Sequence, residues 1–253
     1  MKALKKTMSL TLALIMLVGI IASTNVFAEG FEKKVVSDLT ADINGLSSRL
    51  TGTIDLSNNI LKNKSQLKDG TTNTYVGTLE GSVEAGDLFA GAYDEYTKLE
   101  KTNLFIWYWK NLVMFGKDEN TFPNATYTIE FPKNDSLKIT NVEVIENTNT
   151  ISSVKKEVVA NKVNFTFNLG NWNDYSGFFD LVKPELKEAG HTINIKIDYE
   201  ITVPDNMTKE DGIIKCNGAC DVYYFGKKKD LVSNPIISIT LSDVLFNILN
   251  IEK

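Results

Sequence analysis

Two cysteines frame the sharpest chemical signal in this 253-residue chain. Cys216 and Cys220 bracket Asn217-Gly218, a pair that favours tight turns. Ile213-Ile214 precede them and Val222–Phe225 follow, so the spacing predicts a β-hairpin over 213–225 with one thiol on either side of its turn. Residues opposed across a hairpin lie about 4.5–5.5 Å apart, within the Cα range that a disulfide needs. Closing so small a loop is worth about 2 kcal/mol. A redox pair normally uses C-x-x-C spacing, and a zinc site lacks ligands when the chain has one histidine, His191, and no other cysteine. The expectation is a structural Cys216–Cys220 disulfide, with no metal.

Other chemistry finds little support. A Ser/His/Asp or Cys/His set would have to use His191, and no G-x-S-x-G turn accompanies it. The paired carboxylates Asp94-Glu95, Asp118-Glu119 and Glu210-Asp211 are adjacent in sequence and most read as solvated turns, whereas a glycosidase needs two carboxyls brought together from separate elements. The oxygen-rich loop 205–212 departs from the calcium-loop pattern. No glycine-rich phosphate loop is present. The chain is therefore expected to be non-catalytic, with no cofactor.

The aromatic residues offer contact area instead. Phe105, Trp107, Tyr108, Trp109 and Phe115 lie in the most apolar stretch after the leader. They pack a core, or else Trp107 and Trp109 form an apolar platform for a ligand. Trp172, Tyr175 and Phe178 lie in a loop rich in Asn, Asp, Ser and Gly. Large aromatics in such a loop give recognition area at low entropic cost, so this is the expected contact loop. The opposing reading turns the same aromatics inward, as a cap on the core.

Three segments that must position these residues alternate apolar and polar side chains: Ala125–Phe131, Val163–Leu169 and Ile193–Val203. A period of two marks strands with one buried and one wet face. Further strands are expected near 51–56, 75–79, 136–146, 151–160 and 236–241. Helices are expected over 83–99, where Leu88, Ala92, Tyr96 and Leu99 share a face, and over 178–188. Leu39, Ile43, Leu46 and Leu50 suggest another helix, and Val244, Leu245, Ile248 and Leu249 a short one at the C-terminus. Ser57–Thr74 is polar and reads as loop, with Asp69-Gly70 as a turn.

Residues 1–28 read as a signal peptide: Lys2, Lys5 and Lys6, the apolar run Ser9–Ile21, then the small-residue site Val26-Phe27-Ala28. The chain is thus expected to be secreted, with no transmembrane span once the leader is cleaved. The net charge is −5, and the leader holds three lysines and no acid. The mature chain is more acidic still, which disfavours nucleic acid as a partner.

The order Ala125–Phe131, Lys138–Glu146, Val163–Trp172 and Ile193–Pro204 resembles the immunoglobulin-like modules of Gram-positive surface proteins and adhesins. That resemblance implies an antiparallel β-sandwich at 121–253, here preceded by a smaller mixed α/β region at 29–120. It also implies a cell-surface binding or adhesion module whose partner is a protein or glycan. The alternatives are a structural or assembly component of the cell envelope and a membrane-active secreted toxin.

Overall fold

The computed structural model describes residues 35–44, 48–57, 61–102, 114–116, 122–170, 175–204, 208, 211–224 and 235–248. The leader, Trp107, Trp109 and Trp172 lie outside the described residues. The chain folds as a mainly β protein of two sheets.

The first part of the chain supplies β1 (Val36–Asp42), β2 (Arg49–Asp55), β3 (Leu61–Leu67), β4 (Thr74–Glu84), α1 (Ala85–Thr102) and β5 (Met114–Phe115). After these come β6 (Asn124–Glu130), β7 (Lys138–Glu146), β8 (Ile151–Val159), β9 (Lys162–Leu169) and α2 (Tyr175–Glu185). The last strands are β10 (Thr192–Thr202), β11 (Ile213–Tyr224) and β12 (Ile237–Asn247). The larger sheet runs β1-β2-β12-β11-β6-β9-β8, with β5 also pairing β11, and the smaller runs β3-β4-β10-β7. Every pairing is antiparallel except β2 with β12.

Strand alternation follows the sequence closely in the middle of the chain. Ile193, Ile195, Ile197, Tyr199, Ile201 and Val203 are all buried, as are Val163, Phe165, Phe167 and Leu169. Their faces meet in one apolar core shared by both sheets and both helices. Both sheets cross the expected boundary at residue 121. Strands β1 and β2 join the larger sheet through β12, and β3 and β4 join the smaller through β10.

Several local expectations are overturned. Where a helix was expected over 39–50, residues 39–42 and 49–50 lie in the antiparallel strands β1 and β2. Leu39 and Leu50 are buried, but Ile43 stays exposed, so the helical spacing does not describe the face that packs. The polar stretch expected as loop contains β3, an edge strand held by β4, and Gly70 with φ +76° marks the turn between them. The C-terminal residues to Asn247 continue β12, where a helix was expected. Helix α2 spans Tyr175–Glu185 where 178–188 was expected, and Pro184 falls in its last turn.

The cysteine hairpin is a further correction. β11 is one continuous strand, and neither cysteine is in a disulfide. Four residues of extended chain separate their Cα atoms by about 13 Å at 3.3 Å per residue, well beyond bridging distance. Asn217-Gly218 makes no turn there. Gly218 faces inward, opposite Tyr127 and Leu241, and a Cβ on it would stand 2.4 Å from the Thr126 carbonyl oxygen. The glycine serves close approach, not chain reversal.

Candidate functional site

Of the expected aromatic contact residues, Tyr175 and Phe178 are described, and both are internal. Tyr175 is 2% exposed and Phe178 5%, and both belong to α2, so the expectation that they project outward is corrected. The Tyr96 and Phe179 rings stack at 4.2 Å, Phe89 meets Phe178 edge-on at 5.3 Å, and Tyr175 lies 5.5 Å from Tyr96. Such pairs add about 0.5–1.5 kcal/mol each beyond area burial. This cluster clamps α1 to α2, and burial raises the pKa of the Tyr175 phenol. Both cysteines point toward the core from β11. Cys216 shares a hydrogen bond with the Tyr127 hydroxyl, and burial, with Cys216 beside it, raises the Tyr127 pKa. Burial, with the charge of Asp221 adding, pushes the Cys220 thiol up to about 12, which leaves little thiolate at neutral pH.

The wet face of the smaller sheet carries an ordered polar surface. On β10 the side chains of Asn194, Lys196, Asp198, Glu200 and Thr202 alternate with the buried set, and register aligns them with partners on three other strands. Lys62, Glu80, Lys196 and Glu143 lie abreast across β3, β4, β10 and β7, a row of alternating charge. The next row is Lys64, Thr78, Asp198 and Asn141, and the third is Gln66, Val76, Glu200 and Lys138.

Hydrogen bonds tie the rows together. The Asp198 carboxylate accepts from Thr78 Oγ1 at 2.6 Å and from Asn141 Nδ2 at 3.2 Å. Lys64 Nζ lies 2.7 Å from Glu80 Oε1, and Lys68 Nζ 2.8 Å from Glu200 Oε2. The Thr78 hydroxyl bond leads the influences that lower the Asp198 pKa, the Lys64 ammonium lowers that of Glu80, and the Lys68 ammonium that of Glu200. All three are therefore carboxylates at neutral pH.

The floor beneath these rows is rigid. Tyr199 lays its ring over Gly77, where a Cβ would come within 2.3 Å of it, and its hydroxyl donates to Asn63 Oδ1 at 2.8 Å. Asn63 Nδ2 and Ser65 Oγ donate to the Asn247 and Ile248 carbonyls of the other sheet. Above this floor lies a shallow groove of about 700 Å³, bordered by Gln66, Thr78, Glu80, Thr140, Lys196 and Glu200. It presents alternating donors and acceptors at the strand spacing of about 4.8 Å, suited to hydrogen-bonding an extended polar chain. Composition did not reveal this site, because its residues are individually ordinary. The alternation over 193–203 was its one sequence signal.

Among the described residues no group of three His, Cys, Asp or Glu is placed to hold a metal, and no helix is long and apolar enough to cross a membrane. Of the oxygen-rich loop 205–212, Thr208, Asp211 and Gly212 are described, and Thr208 donates to the Asp211 carboxylate.

The fold is thus that of a two-sheet, mainly antiparallel β-sandwich protein. No family model matches the sequence, and no curated protein matches it. Solved structures of bacterial surface proteins show a weak likeness. The major pilin subunit BcpA of Bacillus cereus aligns with 73% of this chain and 39% of its own, at 11% identity and a TM-score of 0.29. The collagen adhesin CNA of S. aureus aligns over 79% and 56% respectively, at 8% identity and 0.27. ACE19, the collagen-binding subdomain of the Enterococcus faecalis surface protein ACE, aligns over 72% and 96%, at 10% identity and 0.23. The chain spans about two fifths of the pilin and just over half of the collagen adhesin.

Proposed function

We propose that this chain is a secreted, surface-associated binding module that performs no catalysis and meets its partner on the outer face of the smaller sheet. The observation that supports this is the three-row polar grid across β3, β4, β10 and β7, held on a rigid floor. Pre-ordered side chains lose little freedom on binding, so even a polar face gains affinity from them. The partner this face suits is an extended protein segment or a glycan chain. Secretion is supported by the sequence of the leader.

The test is surface plasmon resonance of the exported chain against a panel of matrix proteins and glycans. Wild type should bind at least one member, and the combined Gln66→Ala, Thr78→Ala and Lys196→Ala variant should bind it about tenfold or more weakly, with a melting temperature within a few degrees of wild type. Unchanged binding by the variant, or no binding by wild type to any member, would dismiss this face as the site. A second reading, a component of envelope assembly, is favoured by Ile145, Val158 and Val159. These residues are 63%, 48% and 51% exposed where β7 and β8 end the two sheets. Concentration-dependent self-association of the exported chain, abolished by Ile145→Lys, is its expected signature.

A further inference from the structure

Between the two sheets lies an apolar cavity of about 120 Å³. Leu50 and Ile54 line it from β2, Ile195 from β10 and Ile239 from β12, and Phe89 and Phe178 close it from the helices. An engineered apolar cavity of about 150 Å³ stays dry and takes up benzene or xenon, because a water needs two to four polar partners. The polar residues at these walls are otherwise engaged. The Thr126 hydroxyl donates to the Ala219 carbonyl, the Tyr127 hydroxyl is bonded to Cys216, and Ser82 is exposed to solvent.

A second observation concerns Cys220. It keeps accessible surface, yet burial pushes its thiol pKa up to about 12. Cys220 also lines this cavity. Val83, Leu88, Ala125 and Leu241 behave alike: they pack on the core, border the cavity and remain partly accessible.

We propose that this cavity is a binding site for one small, uncharged apolar molecule about the size of a benzene ring, separate from the polar outer face. The test is a titration of the exported chain with benzene, followed by methyl NMR, with benzylamine as the charged control. Saturable shifts should be confined to methyl groups at the cavity, such as those of Leu50, Ile54, Ile195 and Ile239, and benzylamine should leave them unmoved. Cys220→Leu, which fills the space, should weaken benzene binding at least tenfold. The absence of a saturable shift in the wild type overturns the proposal, as do equal shifts in a folded Cys220→Leu protein. If that variant does not fold, Ala125→Val takes its place under the same criteria, and the wild-type titration is decisive in either case.

Discussion

Gly218 and Gly77 show how much a missing side chain can specify. Each sits mid-strand, where glycine usually weakens a sheet, and each is opposite a tyrosine, Tyr127 and Tyr199 respectively. At Gly77 the Tyr199 ring occupies the space a Cβ would need, and at Gly218 the Tyr127 ring would stand 3.0 Å from one, a pairing that recovers packing at a glycine. At Gly218 the nearest obstacle is backbone, which moves less readily than a side chain. Gly218→Ala is therefore expected to destabilise the protein by about 1–3 kcal/mol, read from urea unfolding monitored by tryptophan fluorescence. A loss below about 0.5 kcal/mol would mean that β11 and β6 can part without cost.

At the scale of elements, α1 does more than fill the core. Asp87, Gly91 and Glu95 recur every four residues and form one stripe, which lies along β1, the edge of the larger sheet. Asp87 Oδ2 accepts from the Val35 amide at 2.9 Å and Glu95 Oε2 from the Ala41 amide at 3.0 Å. At Gly91 a Cβ would fall 2.4 Å from Ser37 Cβ. The helix thus satisfies edge donors that would otherwise invite a foreign strand. Gly91→Val should lift α1 from β1, so that the Val35 and Ala41 amides exchange with deuterium about tenfold or more faster, and aggregation on mild heating should increase. Unaltered exchange at both amides would show that the carboxylates do not protect this edge.

At the scale of the molecule, acid should loosen the fold from its wet face. Glu80, Asp198 and Glu200 have folded-state pKa values below their ordinary 4.5, 3.8 and 4.5. The folded chain binds fewer protons than the unfolded chain in that range, so their contribution is complete above the ordinary values and fades as pH falls through the depressed ones. The melting temperature is expected to hold from pH 7 to about 5 and to drop below about 4.5. Asp198→Asn should flatten part of that acid slope, and added salt should weaken what the exposed pairs contribute. An identical slope in Asp198→Asn would remove Asp198 from the account. The cavity belongs to this scale too. At about 24 cal/mol per Å³ an empty void of 120 Å³ costs about 3 kcal/mol, a sizeable part of a typical net stability of about 5–15 kcal/mol.

What the sequence determined by itself was local and periodic. The two-residue alternation of β6, β9 and β10 was legible because those strands have one dry face and one wet face, and a slip of one residue would invert both. Helix α1 was legible because Leu88, Ala92, Tyr96 and Leu99 repeat at helical spacing, and the latter three are buried. What only the tertiary structure decided was pairing. Leu39 and Leu50 fit a helical face, yet they lie in paired strands because β12 offers β2 a parallel partner and α1 covers β1. Asn217-Gly218 reads as a turn in isolation, but β6 and β12 on either side hold β11 extended. That separates Cys216 from Cys220 and leaves the outcome expected from spacing out of reach. The polar grid is likewise a product of register: Lys62, Glu80, Lys196 and Glu143 are far apart in the chain, and only the lateral hydrogen bonds of four strands set them in one row.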